Sequence, residues 1–113
     1  MSKNNRAAAR LLKSAALFAA LGDGTRLEIV ARLADGSQQS ITQLTDVAAV
    51  TRQAITKHLR VLESAGIVSS VRAGRETLFA LQPRSLEEAQ RALAAVSAQW
   101  DDALSRLRAF VEE

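Results

Sequence analysis

Arg52, Gln53, Thr56, Lys57 and Arg60 follow one another at steps of one, three, one and three within "TRQAITKHLRVLESAGIV", residues 51–68. Those steps place all five on one side of a helix. A solvated helix face normally mixes acids and bases. Here no acid appears until Glu63. Guanidinium, ammonium, amide and hydroxyl groups in that arrangement donate hydrogen bonds and neutralise negative charge. The chemistry they suit is the grip of a polyanion.

Other chemistries are poorly provided for. The 113 residues contain no cysteine, which removes disulfides, thiolate metal sites and thiol redox sensing. His58 is the single histidine, so a His-rich metal centre is excluded and any nucleophile would have to rely on His58 alone. The paired carboxylates Glu87–Glu88 and Asp101–Asp102 are helix neighbours. Such neighbours point about 100° apart and do not converge on one substrate. No glycine-rich phosphate loop is present. The expectation is a protein that is not an enzyme, with no cofactor and no metal.

The elements that must position the basic face can be read from periodicity and punctuation. From Arg6 to Leu21 the chain is rich in alanine and leucine without a breaker, which predicts one helix ended by Gly22. Residues 1–5 are polar and expected to fray. Asp23 suits the N-cap of a second helix over 24–34, with Leu27, Val30, Ala31 and Ala34 on its core face and Gly36 as the stop. "SQQS" reads as a loop. Thr42 then caps a short helix containing Leu44 and Val47, and "AAV" makes a tight turn. Thr51 caps the helix that carries the basic face. Its core stripe is Ile55, Leu59 and Leu62, widened by Ala54, Val61 and Ala65, and Gly66 stops it.

The period then changes. "IVSSVRAGRETLFAL" predicts a hairpin with its tip near Ala73–Arg75 and alternation at Thr77, Phe79 and Leu81. Pro83 interrupts, and Ser85 caps a last helix with Glu87 and Glu88 in its first turn. In that helix Leu86, Ala89, Leu93, Val96, Trp100, Ala103, Leu107 and Phe110 recur at alternating steps of three and four, broadened by Leu104 and Val111. So long a seam exceeds what packing one helix onto a small domain requires, and a second subunit is expected to meet it. The simpler alternative lays it across its own domain. Two helices joined by a short turn and followed at once by a basic hairpin form a winged helix-turn-helix. The expected fold is thus mainly α with a β-hairpin wing, in a single domain.

Charge is unevenly spread. Residues 1–75 hold eleven Lys or Arg against five Asp or Glu, and residues 76–113 hold four against seven. A basic front half suggests a polyanionic partner for that half. Ordinary surface variation would explain it equally well on charge alone. No apolar run reaches the roughly 18 residues of a membrane span, and no signal-peptide pattern is present. The expected location is cytoplasmic, with no membrane partner.

"ALGDGTRLEIVARLADG" and "ITQLTDVAAVTRQAITKHLRVLESAGIVSSVRAGRETLFAL" closely resemble the ArsR/SmtB family of bacterial transcriptional repressors, from about Leu11 to Leu81. The resemblance implies a homodimer that binds operator DNA through two winged helix-turn-helix units. Residues 1–21 and 85–113 would supply dimerisation helices, 42–65 the helix-turn-helix and 67–81 the wing. Leu11, Leu17, Phe18, Leu93, Val96, Trp100, Leu107 and Phe110 would line the dimer interface. Many members sense metals through a Cys-x-Cys pair. The matching "TQLTDVAAV" has none, and the last helix has Asp101 and Asp102 but no histidine. Metal sensing therefore does not carry over.

In that setting the basic face acquires specific roles. A helix fits the major groove of B-DNA. Thr51, Arg52, Gln53 and Thr56 sit at its N-terminal end, where backbone N–H groups also favour phosphate. Arg52 is suited to guanine O6/N7 and Gln53 to adenine N6/N7. Lys57 and Arg60 suit phosphates. For His58 a structural role or a phosphate contact is expected rather than base reading. Gly74 permits the tight wing tip, and Arg72 and Arg75 are placed to meet the backbone or a narrow minor groove; the alternative is an exposed hairpin charged for solubility. Lys3, Arg6, Arg10 and Lys13 form a basic run that either adds phosphate contacts or solubilises its helix. Trp100 is expected as a dimer-core anchor. A same-fold activator, a regulator governed by a small-molecule or protein inducer, and a protein-interaction module without nucleic acid stand as alternatives to the repressor.

Overall fold

A computed structural model of the chain describes residues 3–46 and 50–112. Among these described residues six helices and three strands follow in the order α1 (Lys3–Lys13), α2 (Ala15–Leu21), α3 (Gly24–Leu33), β1 (Gln39–Ser40), α4 (Ile41–Thr45), α5 (Arg52–Ser64), β2 (Val68–Ala73), β3 (Glu76–Leu81) and α6 (Pro83–Glu112). The expectations for Val47, Ala48 and Ala49 lie outside the described residues.

The N-terminal helix departs from its expected form. It begins at Lys3 rather than Arg6, and it is two helices, not one, broken at Ser14. Ser14 has φ −93° and ψ 6°, and its N–H is shared between the carbonyls of Arg10 and Leu11. The bend has a packing cause. α1 runs beside α6, while α2 must turn inward to bury Leu17 and Ala20.

In α3 Asp23 is the N-cap, its side chain accepting from the Arg26 backbone N–H at 3.0 Å. The core face differs from the expected one. Ile29 and Leu33 are buried, Val30 is half-buried, and Leu27, Ala31 and Ala34 are exposed. Both sides of α3 carry apolar residues, and packing on α2 and α5 selects the Ile29–Leu33 side. Gly36 ends the turn with φ +84°, a conformation that side chains disfavour.

That hydrogen bond from Arg26, helped by the Arg26 and His58 charges and opposed by burial, holds the Asp23 carboxyl below its ordinary 3.8. A lowered folded value means that ionised Asp23 stabilises the fold above the unfolded value and loses that effect as pH falls through the folded one. The thermal midpoint of Asp23→Asn, which keeps a good capping side chain, should therefore lie furthest below the parent's near neutrality. The gap should close as pH drops below 3.8. A gap that stays constant from neutral to acid pH would contradict this role.

"SQQS" is not simply a loop. Gln39 and Ser40 pair with Phe79 and Leu78, so the wing is part of a three-stranded antiparallel sheet of order β1-β3-β2. Ser40, not Thr42, caps α4, in a capping box with Gln43. Thr51 caps α5 as expected, accepting from the Ala54 N–H at 3.1 Å. Ile55, Leu59 and Leu62 are fully buried and join Leu33, Leu44 and Ile67 at the centre of the core. Val61 is partly exposed rather than part of that stripe.

The hairpin pairs Val68 with Leu81 through Ala73 with Glu76, around Gly74 at φ +64°. Its base is clasped. The Gln82 N–H donates to the Ile67 carbonyl at 2.7 Å, the Gln82 amide to Ser69 Oγ at 2.5 Å, and Ser85 Oγ to the Gly66 carbonyl at 2.7 Å. Ser85 is thus a tether to the wing base, not the N-cap of α6. The helix starts at Pro83, whose fixed φ and missing N–H suit a first helical position. The earlier start leaves Glu87 and Glu88 beyond the first turn.

α6 has 30 residues, about 45 Å of helix. It makes the protomer elongated, 67 × 28 × 21 Å. Only Ala89 and Ala92 of α6 are buried among the described residues.

Candidate nucleic-acid interface

α5 has two opposed faces. The buried stripe of Ile55, Leu59 and Leu62 fixes the helix on the body and leaves the other side to solvent. On that side Arg52, Gln53, Thr56, Lys57 and Arg60 line one continuous hollow. The structure thus brings together the five residues whose spacing drew attention in the sequence. Thr51 is exposed at the N-terminal end of the same helix.

Two of these side chains have local anchors. Arg52 Nη1 donates to Thr42 Oγ1 at 2.7 Å, which ties the start of α5 to α4. Thr56 Oγ1 donates back to the Arg52 carbonyl at 2.9 Å. The anchors hold the short polar end in one arrangement, and Thr42 had no such assignment from the sequence. Lys57 and Arg60, further along, are exposed. They also border a groove of about 550 Å³ floored by Ala16, Ala19 and Ala20 of α2.

His58 is not on this face. It is half-buried and turned toward α3, with Nδ1 3.3 Å from Arg26 Nη1 and 3.8 Å from Asp23 Oδ2. The ring faces Arg26 and Asp23 and is not among the residues lining the hollow. Arg26 is the residue that sequence reasoning missed. It lies inside "GDGTR", but its spacing alone gives no sign that it reaches α5.

Arg72 and Arg75 flank the wing tip and are exposed. Arg72 Nε donates to the Gly74 carbonyl at 3.2 Å, which holds its guanidinium against the turn. Val71 beside it is 54% exposed, an apolar contact point the sequence did not single out. Glu63 accepts from Ser70 Oγ at 2.6 Å and so joins the end of α5 to β2. The one acid of this region is thereby drawn away from the basic hollow, toward the wing.

The expected interface residues of the terminal helices divide into two groups. Leu17 lies in the protomer's own core and Phe18 packs against it, so both have little surface left to offer a partner. Leu11 and Val96 are half-buried. Leu93, Trp100, Leu107 and Phe110 are exposed, joined by Leu12, Leu104 and Val111. Of the basic run, Arg6, Arg10 and Lys13 are exposed along α1. No helix among the described residues is long and apolar enough to cross a membrane.

Residues 21–71 match a helix-turn-helix domain family. The chain is 45% identical to the uncharacterised HTH-type transcriptional regulator YuzN of Bacillus subtilis, over 53% of this chain and 72% of that protein. It is 35% identical to the HTH-type transcriptional repressor SmtB of Mycobacterium tuberculosis, over 78% of this chain and 63% of that protein. Among solved structures, an ArsR-like transcriptional regulator from Rhodococcus sp. RHA1 superposes with a TM-score of 0.77 at 38% identity, covering 88% of this chain and 93% of that one.

Proposed function

The chain belongs to the ArsR/SmtB family of winged helix-turn-helix transcriptional regulators, and we propose that it acts as a homodimeric repressor on a palindromic operator. The observation that carries this reading is the acid-free hollow on α5, set opposite a fully buried stripe. A helix so mounted can enter a major groove with Arg52 and Gln53 at base edges and Lys57 and Arg60 at phosphates. Arg72 and Arg75 extend the contact along the wing.

The twofold partner is argued from α6. Its apolar residues Leu93, Trp100, Leu104, Leu107 and Phe110 lie open on the isolated protomer. Large apolar side chains exposed at heptad spacing along one helix point to an interaction surface. The same face on a second copy satisfies both through a self-complementary interface. Two α5 helices must then stand about 34 Å apart to enter successive major grooves. The repressor sense draws on the similarity to the mycobacterial repressor. A dimer seated over a promoter would bar the polymerase from it.

Selection from random duplexes tests the reading, with an inverted repeat as the expected product. Affinity for that repeat should fall steeply with salt, because phosphate neutralisation releases counterions. Arg52→Ala together with Gln53→Ala should cost about 1–3 kcal/mol per lost base contact and flatten the preference at those positions. Arg75→Ala should weaken all sequences alike. An affinity for the selected duplex left untouched by all three changes would remove these residues from the interface.

A further inference from the structure

We infer that Arg26 is a positioning residue that sets the rotation of α5 about its own axis and couples it to α2, without itself touching DNA. The inference rests on the DNA-binding reading of α5 and deepens it. Arg26 is half-buried on α3, and its guanidinium spans three elements. Nε donates to the Ala20 carbonyl at 2.5 Å and Nη2 to the Ala19 carbonyl at 3.4 Å, both in the last turn of α2. Nη1 lies 3.3 Å from His58 Nδ1 on α5. Carbonyls in the last turn of a helix lack the usual i+4 partner, the Ala19 carbonyl here also accepting from the Gly22 N–H at 3.2 Å, and a cation there complements the dipole. Asp23 fixes the base of the arrangement by capping the Arg26 N–H.

The packing around this point explains why such a brace is needed. α5 rests on the body through Ile55, Leu59 and Leu62, with Arg52–Thr42 at its start and Glu63–Ser70 at its end, and Arg26 meets it between them. Apolar contact fixes how close two helices lie, but it is non-directional and resists rotation weakly. At the roughly 5–6 Å radius of a helix with its side chains, a turn of about 10° moves the outer atoms by about 1 Å. That is enough to spoil bidentate contacts from Arg52 and Gln53. A planar guanidinium with a fixed fork of donors is directional where leucine is not. His58 follows directly after Lys57, so holding its ring orients the face that carries Lys57. The other end of the brace is α2, which continues from α1, the helix that packs along α6. Motion of the terminal helices therefore reaches the reading face through Arg26.

The test uses full-length protein with Arg26→Gln, Arg26→Lys, His58→Ala and the Gln/Ala double variant, measured on a selected operator and on a random duplex over a range of salt. Arg26→Gln should lower operator affinity about five- to hundred-fold, the scale of one wrong base pair. Random-duplex affinity and the slope of log affinity against log salt should stay as in the parent. The double variant should bind no worse than the weaker single one, since both remove the same coupling. Nitrogen NMR of the His58 ring should differ between the parent and Arg26→Gln, because the Nδ1 contact with Arg26 is lost. If Arg26→Gln does not fold, Arg26→Lys decides. It keeps the charge but cannot bridge α2 and His58, and it should show the same loss of operator preference. A salt slope reduced by about 0.9 would make Arg26 a phosphate contact and overturn the inference. So would an unchanged operator affinity or strictly additive losses. A parent protein that binds no duplex at any salt would instead end the DNA-binding reading itself.

Discussion

A protein carrying Trp100→Glu and Leu107→Glu together is expected to sediment as a monomer and to bind its selected operator roughly 10²–10⁴-fold more weakly than the parent. Trp100 is 64% exposed and Leu107 59% exposed on the isolated protomer. Neither belongs to the protomer's own core, so the fold of one chain should survive the change. In the proposed dimer both become buried. Two carboxylates per chain would then face their symmetry copies in an apolar seam, where an unpaired charge is strongly disfavoured. The loss of affinity follows from linkage. With one reading head bound, a joined second head finds its half-site at an effective concentration near millimolar, and a free protomer does not. Single half-site affinity should persist, because α5 is untouched. Sedimentation and operator titration are read together. A variant that stays dimeric, or a monomer that binds the full operator as tightly as the parent, would refute the α6 interface.

Leu59→Ala is expected to cost about 2–5 kcal/mol of folding stability. Leu59 is 1% exposed, on the same α5 stripe as Ile55 and Leu62. Truncation leaves a cavity in the core cluster that Leu59 shares with Ile55 and Leu62. The loss is a large part of the roughly 5–15 kcal/mol that holds a domain folded. Urea titration of the far-ultraviolet signal would measure it. Val61→Ala, two residues on and on the opposite side of the same helix, is the control. Val61 is 37% exposed, and its truncation should cost well under half as much. Equal losses at the two positions would mean that α5 is not mounted by this stripe. DNA binding should fail for Leu59→Ala only in proportion to the unfolded fraction.

α5 was the most legible element because every signal agreed there. Thr51 caps it, Gly66 ends it, and Ile55, Leu59 and Leu62 recur at helical spacing opposite the basic residues. α3 was legible as a helix but not in its orientation. Leu27, Ala31 and Ala34 make as good a stripe as Ile29 and Leu33, and only the neighbours decide between them. β1 could not be read from "SQQS", since a two-residue polar strand owes its existence to Leu78 and Phe79 nearly forty residues away. The break at Ser14 was hidden for a similar reason. An alanine-rich run contains no local instruction to bend, and the bend comes from α6. Pro83 looks like an interruption in the sequence and is a helix start in the fold, because the same fixed φ serves both. Within the site, the five residues of the basic hollow were visible from spacing, whereas Arg26 was not. Its partners are two backbone carbonyls and a histidine 32 positions on, which no periodicity encodes.

The clasp at the wing base has a mechanical consequence. Gln82 and Ser85 tie the foot of the hairpin to Gly66, Ile67 and Ser69, just past α5, while the Gly74 turn has its hydrogen bond from Arg72, a residue of the hairpin itself. The hairpin is then a cantilever whose free end can sway while its mount stays still. In the proposed complex Arg75 would then follow duplexes of different local width without dragging the helix out of register. In amide exchange, protection should fade along β2 and β3 from Val68 and Leu81 outward.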